Sequence, residues 1–494
     1  MARRLAAALV ATALLACSAA VLVAAAPRAQ AGAAAQVLHY EYGPIHIDAG
    51  QNTIQFSGSQ VAKPDVDGWI VGIKPNILLP DNSVPRVDVI HLHHAVWINL
   101  SRTDPTSGGT LPQRFFAAGE EKTALAMPKG YGYRYAASDT WLLNFMIHDL
   151  VDQAFDVRIT YDITFIPKAG TKPLAEVVPL WMDVQNGQVY PVFDVHRGSG
   201  TNGQFTYPDQ AVDPYAGGAA KNRYTLPTGG TVVWAGGHLH PGGLWDDLYV
   251  DRGGQSAHVF RSTAKYFEKA GPVSWDVVLG VTKGSWRLQV QAGDTLRITT
   301  TYDTSSRSWY EAMGIMVLWF APNSAGGTDP FTLAAGPNQV RYTHGHLAEN
   351  NNHGGLADPD LPDPATLPNG PLTSAVTISN YEFSPGDLDL ATQVPTVRQG
   401  QSITFTNADA PSSGYGTWHS ITACALPCNL TTGIAYPTAN ALIAFDSGQL
   451  GNDGPPTAGR LTWSTPTDLP PGTYAFWCRV HPFMRGAFRV VPAA

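Results

Sequence analysis

The stretch Gly472-Thr473-Tyr474-Ala475-Phe476-Trp477-Cys478-Arg479-Val480-His481-Pro482-Phe483-Met484-Arg485-Gly486, followed by Ala487-Phe488-Arg489-Val490-Val491, decides how the C-terminal part is read. Two apolar, aromatic-rich runs flank a short turn, the pattern of two antiparallel strands joined by a loop. The loop carries a thiol, an imidazole and a thioether at a Cys-x-x-His-x-x-Met spacing, so three potential metal donors arrive on one turn. A second imidazole stands in another strand-like run, Thr417-Trp418-His419-Ser420-Ile421-Thr422.

One thiolate, two imidazoles and a weak thioether make up the donor set of a blue-copper electron-transfer site: the thiolate holds Cu(I), imidazoles suit both oxidation states, and a long axial Met tunes the potential. The surrounding runs Val376-Thr377-Ile378, Thr396-Val397-Arg398 and Ser402-Ile403-Thr404-Phe405 alternate with period 2. Pro385-Gly386 and Gly400-Gln401 separate them, so residues 374–494 read as a sandwich of short strands. This region resembles the cupredoxins, and His-Pro-Phe-Met-Arg-Gly resembles the amicyanin loop. The resemblance implies a Greek-key cupredoxin domain with one type 1 copper on His419, Cys478, His481 and Met484. The neighbours of the cysteine are Trp477 and Arg479. Multicopper oxidases have His at both positions, so a laccase-type trinuclear cluster is not expected.

Working outward, residues 32–322 show short alternating apolar runs punctuated by Gly, Pro and Asn, and no long 3.6-residue period. Two β-sandwich, jelly-roll-like domains, 32–170 and 171–322, are the economical reading, which makes the whole chain all-β. Three places concentrate ligand chemistry. They are Ile90-His91-Leu92-His93-His94-Ala95-Val96-Trp97, Trp141-Leu142-Leu143-Asn144-Phe145-Met146-Ile147-His148-Asp149, and Trp234-Ala235-Gly236-Gly237-His238-Leu239-His240-Pro241-Gly242-Gly243. On a strand His238 and His240 project to one face, which suits two imidazoles on one metal. Met313, in Tyr310-Glu311-Ala312-Met313-Gly314-Ile315-Met316, adds a thioether, with Met316 as its rival.

A His pair, a single His, a His-x-His and a Met, in that order, resemble the core of the copper type II, ascorbate-dependent monooxygenases, the peptidylglycine α-hydroxylating and dopamine β-monooxygenases. The resemblance implies two type 2 coppers facing across a solvent-filled cleft. One would accept electrons on His93, His94 and His148, and the other would activate O2 on His238, His240 and Met313, the catalytic set. The departures are specific. The family's His-His-Met is His93-His94-Ala95 here, and His91 competes for the face of His93. Residues 32–423 contain no Cys to form the family's disulfides. Gly236 stands where the amidating enzymes grip a peptide carboxylate with Arg. A peptide C-terminus is therefore not the expected substrate.

Residues 323–373, rich in Gly, Asn, Asp and Pro, read as a linker. It contains His344, His346 and His353, open between a solvated loop, a further metal site and a domain-docking contact. His39, His46, His196 and His258 carry no spacing signal. The first 31 residues, with Arg3-Arg4, an uncharged run from Leu5 to Ala26 and Ala29-Gln30-Ala31, have the pattern of a secretory signal peptide. The run is also long enough to stay as an anchor. Export leaves Cys424, Cys428 and Cys478, an odd number; the first two are near enough in sequence to pair, and the third is the metal ligand.

Charged residues are only 14% of the chain, and 31 basic residues face 39 acidic ones. Without the three leader arginines the charge is about −11, which excludes nucleic acid as a partner class. The expected protein is a secreted copper oxidoreductase with a fused electron-transfer domain, an external donor (ascorbate-like reductant or redox protein), O2 and a small-molecule substrate. The alternatives are a non-catalytic extracellular copper protein and a zinc-loaded enzyme.

Overall fold

The computed structural model describes residues 34–493 apart from 59–60, 88, 152, 169–171, 186–190, 268–271, 273–274, 306–308, 333–339, 343, 345–360, 411–416, 426–443, 452–458, 479–480 and 482. The leader reading, His346, His353 and the Cys424–Cys428 pairing lie outside the described residues. The protein is all-β: among those residues the helical content is one 3₁₀ turn at Pro105–Ser107.

Strand formation follows the alternation. In Phe155–Pro167, Val157, Ile159, Tyr161, Ile163 and Phe165 are buried, while Asp156, Arg158, Asp162 and Thr164 point the other way. This strand lies between Gln36–Ile47 and Gly68–Leu78, and Tyr131–Tyr135 follows beside Gly68–Leu78. A second sheet, in the order Ile54–Phe56, Trp141–Asp149, Ile90–Thr103, Pro112–Ala118, packs against the first. Tyr40, Ile70, Trp97, Phe116, Phe145 and Tyr161 fill the space between them. Each such large side chain contributes about 1.5–3 kcal/mol by leaving water.

Ala175–Asp183 carries the first sheet into the second unit. It runs parallel to Tyr131–Tyr135 through Ala175↔Tyr131 and antiparallel to Gly314–Pro322 on its other edge. The sheet then continues through Gly230–Leu239, Val277–Thr282, Gln255–Tyr266, Gly243–Arg252 and Thr295–Asp303. A separate core of Leu180, Val232, Leu248, Leu279, Ile298 and Leu318 lies on this side. Within the stretch read as linker, Val340–Tyr342 pairs with Val277–Thr282, and Asn369–Leu372 is an edge strand of the C-terminal sandwich. Val340–Tyr342 is three residues long and Asn369–Leu372 carries Gly and Pro, so neither has an alternation of its own; the neighbouring strand supplies the order.

Gly242 turns the chain out of the His238–His240 segment with φ +91°, and a Cβ there would stand 2.2 Å from the Trp309 ring. Gly242→Ala should therefore destabilise by roughly 2–4 kcal/mol, from overpacking plus a left-handed backbone, read as the shift in a denaturant midpoint.

In the C-terminal unit, Gly472–Trp477 and Arg485–Val491 form the hairpin, with Trp477↔Arg485 as its last pair. Cys478, His481, Phe483 and Met484 lie in the connection between the two strands. His419–Ala425 lies on the other side of Gly472–Trp477. The end bearing this loop sits on the N-terminal unit: a Cβ on Gly50 would come within 2.8 Å of Tyr381 and 3.0 Å of Phe483, and Trp418 belongs to the N-terminal core.

Candidate metal centre

Cys478, His419 and His481 are fully buried and converge. Cys478 Sγ lies 3.8 Å from His419 Nδ1 and 3.6 Å from His481 Nδ1, and the two Nδ1 atoms are 3.1 Å apart. Such a triangle is what three donors make around one first-row metal with bonds of about 2.0–2.3 Å. The backbone N–H groups of Ser420 and His481 donate to the sulfur at 3.4 and 3.3 Å. His419 Nε2 donates to Asp409 Oδ2 at 2.9 Å, leaving Nδ1 for the metal side. Burial lowers the His419 pKa, but Asp409 and Cys478 outweigh it and leave it raised. Met484 is buried in the same core, its N–H bonded to the His481 carbonyl at 2.9 Å and its carbonyl to Cys478 N–H at 3.2 Å.

A second cluster forms on the strand Ile90–Thr103. Pairing with Trp141–Asp149 runs His91↔His148, Leu92↔Ile147, then His94↔Met146. His93 is the extra residue of a β-bulge, a device that re-aims side chains. Three residues apart on a regular strand, His91 and His94 would face opposite ways. With the bulge both lie on the face that carries His148, Val96 and Asn144, while Leu92, Ala95 and Trp97 stay in the core.

The ligand nitrogens of His91, His93 and His148 lie within 4.8 Å of one another, and all three rings are buried. The grouping differs from the expected His93, His94 and His148. His94 is instead directed along the sheet, its Nε2 3.2 Å from Asn144 Oδ1, and His91 takes the third place with Nδ1 3.0 Å from the Val87 carbonyl. The bulge is the physical reason. Burial, with neighbouring imidazoles adding to it, holds His93 well below its ordinary pKa; neutral imidazole is the form that binds a metal.

His238 and His240 stand with ring centroids 5.2 Å apart and planes perpendicular. Each has its Nδ1 occupied, His238 by Glu121 Oε1 at 3.1 Å and His240 by the Glu311 carbonyl. Their Nε2 atoms are buried with no hydrogen-bond partner among the described residues. Anchoring one nitrogen and exposing the other is how metal-binding histidines are oriented. Tyr302 ties Met313 to this pair: its hydroxyl donates to the Met313 carbonyl at 2.6 Å and accepts from the N–H groups of Met313 and His240 at 2.9 and 3.2 Å. Met316 packs in the second core instead.

Glu121 was not legible as part of the site, nor were Trp275 and Asp409. Burial pushes the Glu121 carboxyl up, but His238 and the Gly119 N–H outweigh it and hold it below the usual range. Its signal in the sequence is modest: an adjacent acidic pair, Glu120-Glu121, after Ala117-Ala118-Gly119 in a chain poor in charge. Glu121→Gln should weaken metal binding at the His238–His240 pair roughly 10–100-fold, measured by competition with a chelator.

The donor groups form one continuous array. The His481 ring is 6.0 Å from His148, His148 is 5.8 Å from His93, and His93 is 4.5 Å from His240, centroid to centroid. Trp275 packs against His91, His93 and His240 at 4.8, 4.6 and 5.0 Å. The expected solvent-filled cleft between two separated sites is replaced here by ring contact between His93 and His240. His344 contacts this region too, its Nε2 2.6 Å from the Glu121 carbonyl. His39, His46 and His258 lie within hydrogen-bond distance of Asp162, Asp156 and Asp247, away from it.

No family model matches the chain, and no curated protein matches it. Among solved structures it is similar to a purple cupredoxin from Nitrosopumilus maritimus, with 19% identity and a TM-score of 0.16 over 24% of this chain and 99% of that one. A reduced amicyanin variant matches at 20% identity and a TM-score of 0.15, over 24% of this chain and 82% of the other. A copper-containing nitrite reductase from Thermus scotoductus SA-01 matches at 15% identity and a TM-score of 0.16, over 53% of this chain and 55% of that one. The donor geometry, not these likenesses, carries the chemical reading that follows.

Proposed function

We propose that the protein is an exported copper oxidoreductase, an O2-dependent monooxygenase in which the C-terminal thiolate site feeds electrons to the histidine sites of the N-terminal units. One observation carries this reading: His481, an edge of the Cys478 triangle, stands 6.0 Å from His148, an edge of the three-histidine cluster. The donor sets fit copper, a thiolate with two imidazoles at one site and imidazoles with a thioether at another. When bound, copper supplies one-electron cycling at the thiolate site and O2 chemistry at the imidazole sites.

The chain's own residues do the rest. Cys478, His419 and His481 present a buried acceptor for an external reductant, and His481 faces His148 across the domain contact. His93 and His240 bring the two N-terminal donor sets into contact, so the transfer distance is short throughout. Glu121 and the Glu311 carbonyl fix the ring orientations of His238 and His240. Insertion of one oxygen atom into a C–H bond takes two electrons and two protons, with the second oxygen leaving as water.

A second reading, a non-catalytic copper electron-transfer protein, is favoured by Trp275, whose indole covers three imidazoles. A cavity of about 320 Å³ whose lining includes His238 and Met313 supports the catalytic reading instead. Oxygen uptake by the copper-loaded protein with ascorbate decides between them: sustained uptake is expected, and none would leave only electron transfer. Metal analysis showing zinc rather than copper on the imidazole sites would contradict both.

A further inference from the structure

The face of Ile90–Thr103 that carries the histidines continues past His94 into a cavity of about 320 Å³ between the two N-terminal units. It is at the small end of the range of about 300–1,000 Å³ typical of small-molecule sites, and domain interfaces are a usual place for one. Val96, Ile98, Leu142, Trp234 and Ile315 form its walls, and His94, His238 and Met313 lie in the same lining. Phe56 and Leu100 also line it, each 43% exposed, so its rim toward solvent is apolar.

The polar groups in the lining are nearly all committed. His94 and Asn144 bond to each other at 3.2 Å. Arg114 lies over the Trp181 ring at 4.7 Å, with Nε 2.8 Å from Asp104 and Nη1 3.8 Å from Asp183, two buried carboxylates that neutralise it. An ionic ligand would find no counter-charge. Three buried nitrogens of the lining lack a hydrogen-bond partner among the described residues, His238 Nε2, Arg114 Nη2 and Trp234 Nε1. The first belongs to the metal pair. The other two, a guanidinium and an indole N–H, are hydrogen-bond donors in an otherwise largely apolar lining, and an unmatched buried donor discriminates for an acceptor.

We infer that this cavity binds the substrate, and that the substrate is a small, neutral, largely hydrocarbon molecule with a hydrogen-bond acceptor such as a ketone or hydroxyl oxygen. The inference rests on the copper-oxidoreductase reading, which makes the His238–Met313 wall the reacting end. Binding, however, is a property of the cavity and can be measured without metal.

The probe is prodan, a neutral naphthalene ketone whose emission shifts to the blue on leaving water. Saturable binding with a blue shift is expected in metal-free and copper-loaded protein. The analogue without the ketone should bind about tenfold more weakly, and a naphthalene sulfonate weaker still. Val96→Trp fills the cavity and should weaken prodan about tenfold or more while copper content is unchanged; Ile98→Phe, nearer the rim, tests the same point with less risk to folding. Absence of saturable binding by the wild type, equal binding by both variants, or preference for the sulfonate would overturn the inference. Copper content separates the two failures: a protein that takes copper but not prodan loses the pocket, and one that takes prodan but not copper loses the proposed reaction.

Discussion

Cys478→Ser removes the visible thiolate band entirely and slows turnover with a protein donor roughly 10–100-fold, while turnover driven by ascorbate persists. Serine keeps the size of the side chain but replaces a soft thiolate with a hydroxyl, which does not stabilise Cu(I). His419 and His481 keep their positions, because Asp409 holds the first and the 478–484 loop bonds hold the second. The split between donors is the informative part: a small reductant can reach the imidazole sites directly, whereas a protein donor depends on the C-terminal site. Equal rates with both donors in the variant would show that the Cys478 site does not deliver electrons. Steady-state oxygen uptake with each donor is the measurement.

His148→Ala is expected to lower bound copper by one equivalent and to stop transfer from the Cys478 site without changing its visible band. His148 is the residue shared by two contacts, the cluster with His91 and His93 and the approach to His481. Removing it leaves two imidazoles at the cluster, too few for tight binding at a buried site. His94→Ala is the paired control. His94 lies in the cavity wall, bonded to Asn144, so its loss should leave all copper in place. Loss of copper from the His94 variant and retention in the His148 variant would reverse the ligand assignment. Metal content after dialysis against a chelator reads both.

The Cys-x-x-His-x-x-Met loop was legible because its donors are local: one turn between two strands fixes Cys478, His481 and Met484 together. His238 and His240 were legible for the same reason, as alternate residues of one strand. The choice between His91 and His94 was not, since a one-residue bulge at His93 changes facing without leaving a mark in the alternation. Nor was the approach of His148 to His481, separated by more than three hundred residues, because docking of two folded units is not written in local periodicity. Glu121 was missed because its role depends on His238, which meets it only through the packing of two sheets. The all-β class followed from period-2 runs throughout. The single sheet path through both N-terminal units depends on the parallel pairing of Ala175–Asp183 with Tyr131–Tyr135, a contact between edges that each look ordinary alone.

The central claim is that the thiolate site and the histidine cluster are connected within one chain. It is tested most directly by mixing fully reduced, copper-loaded protein with O2 and following the return of the visible thiolate band together with oxygen consumption. The account predicts that the band returns in step with oxygen loss, at a first-order rate independent of protein concentration. A rate proportional to protein concentration, or a band that stays bleached while oxygen is consumed, would contradict it.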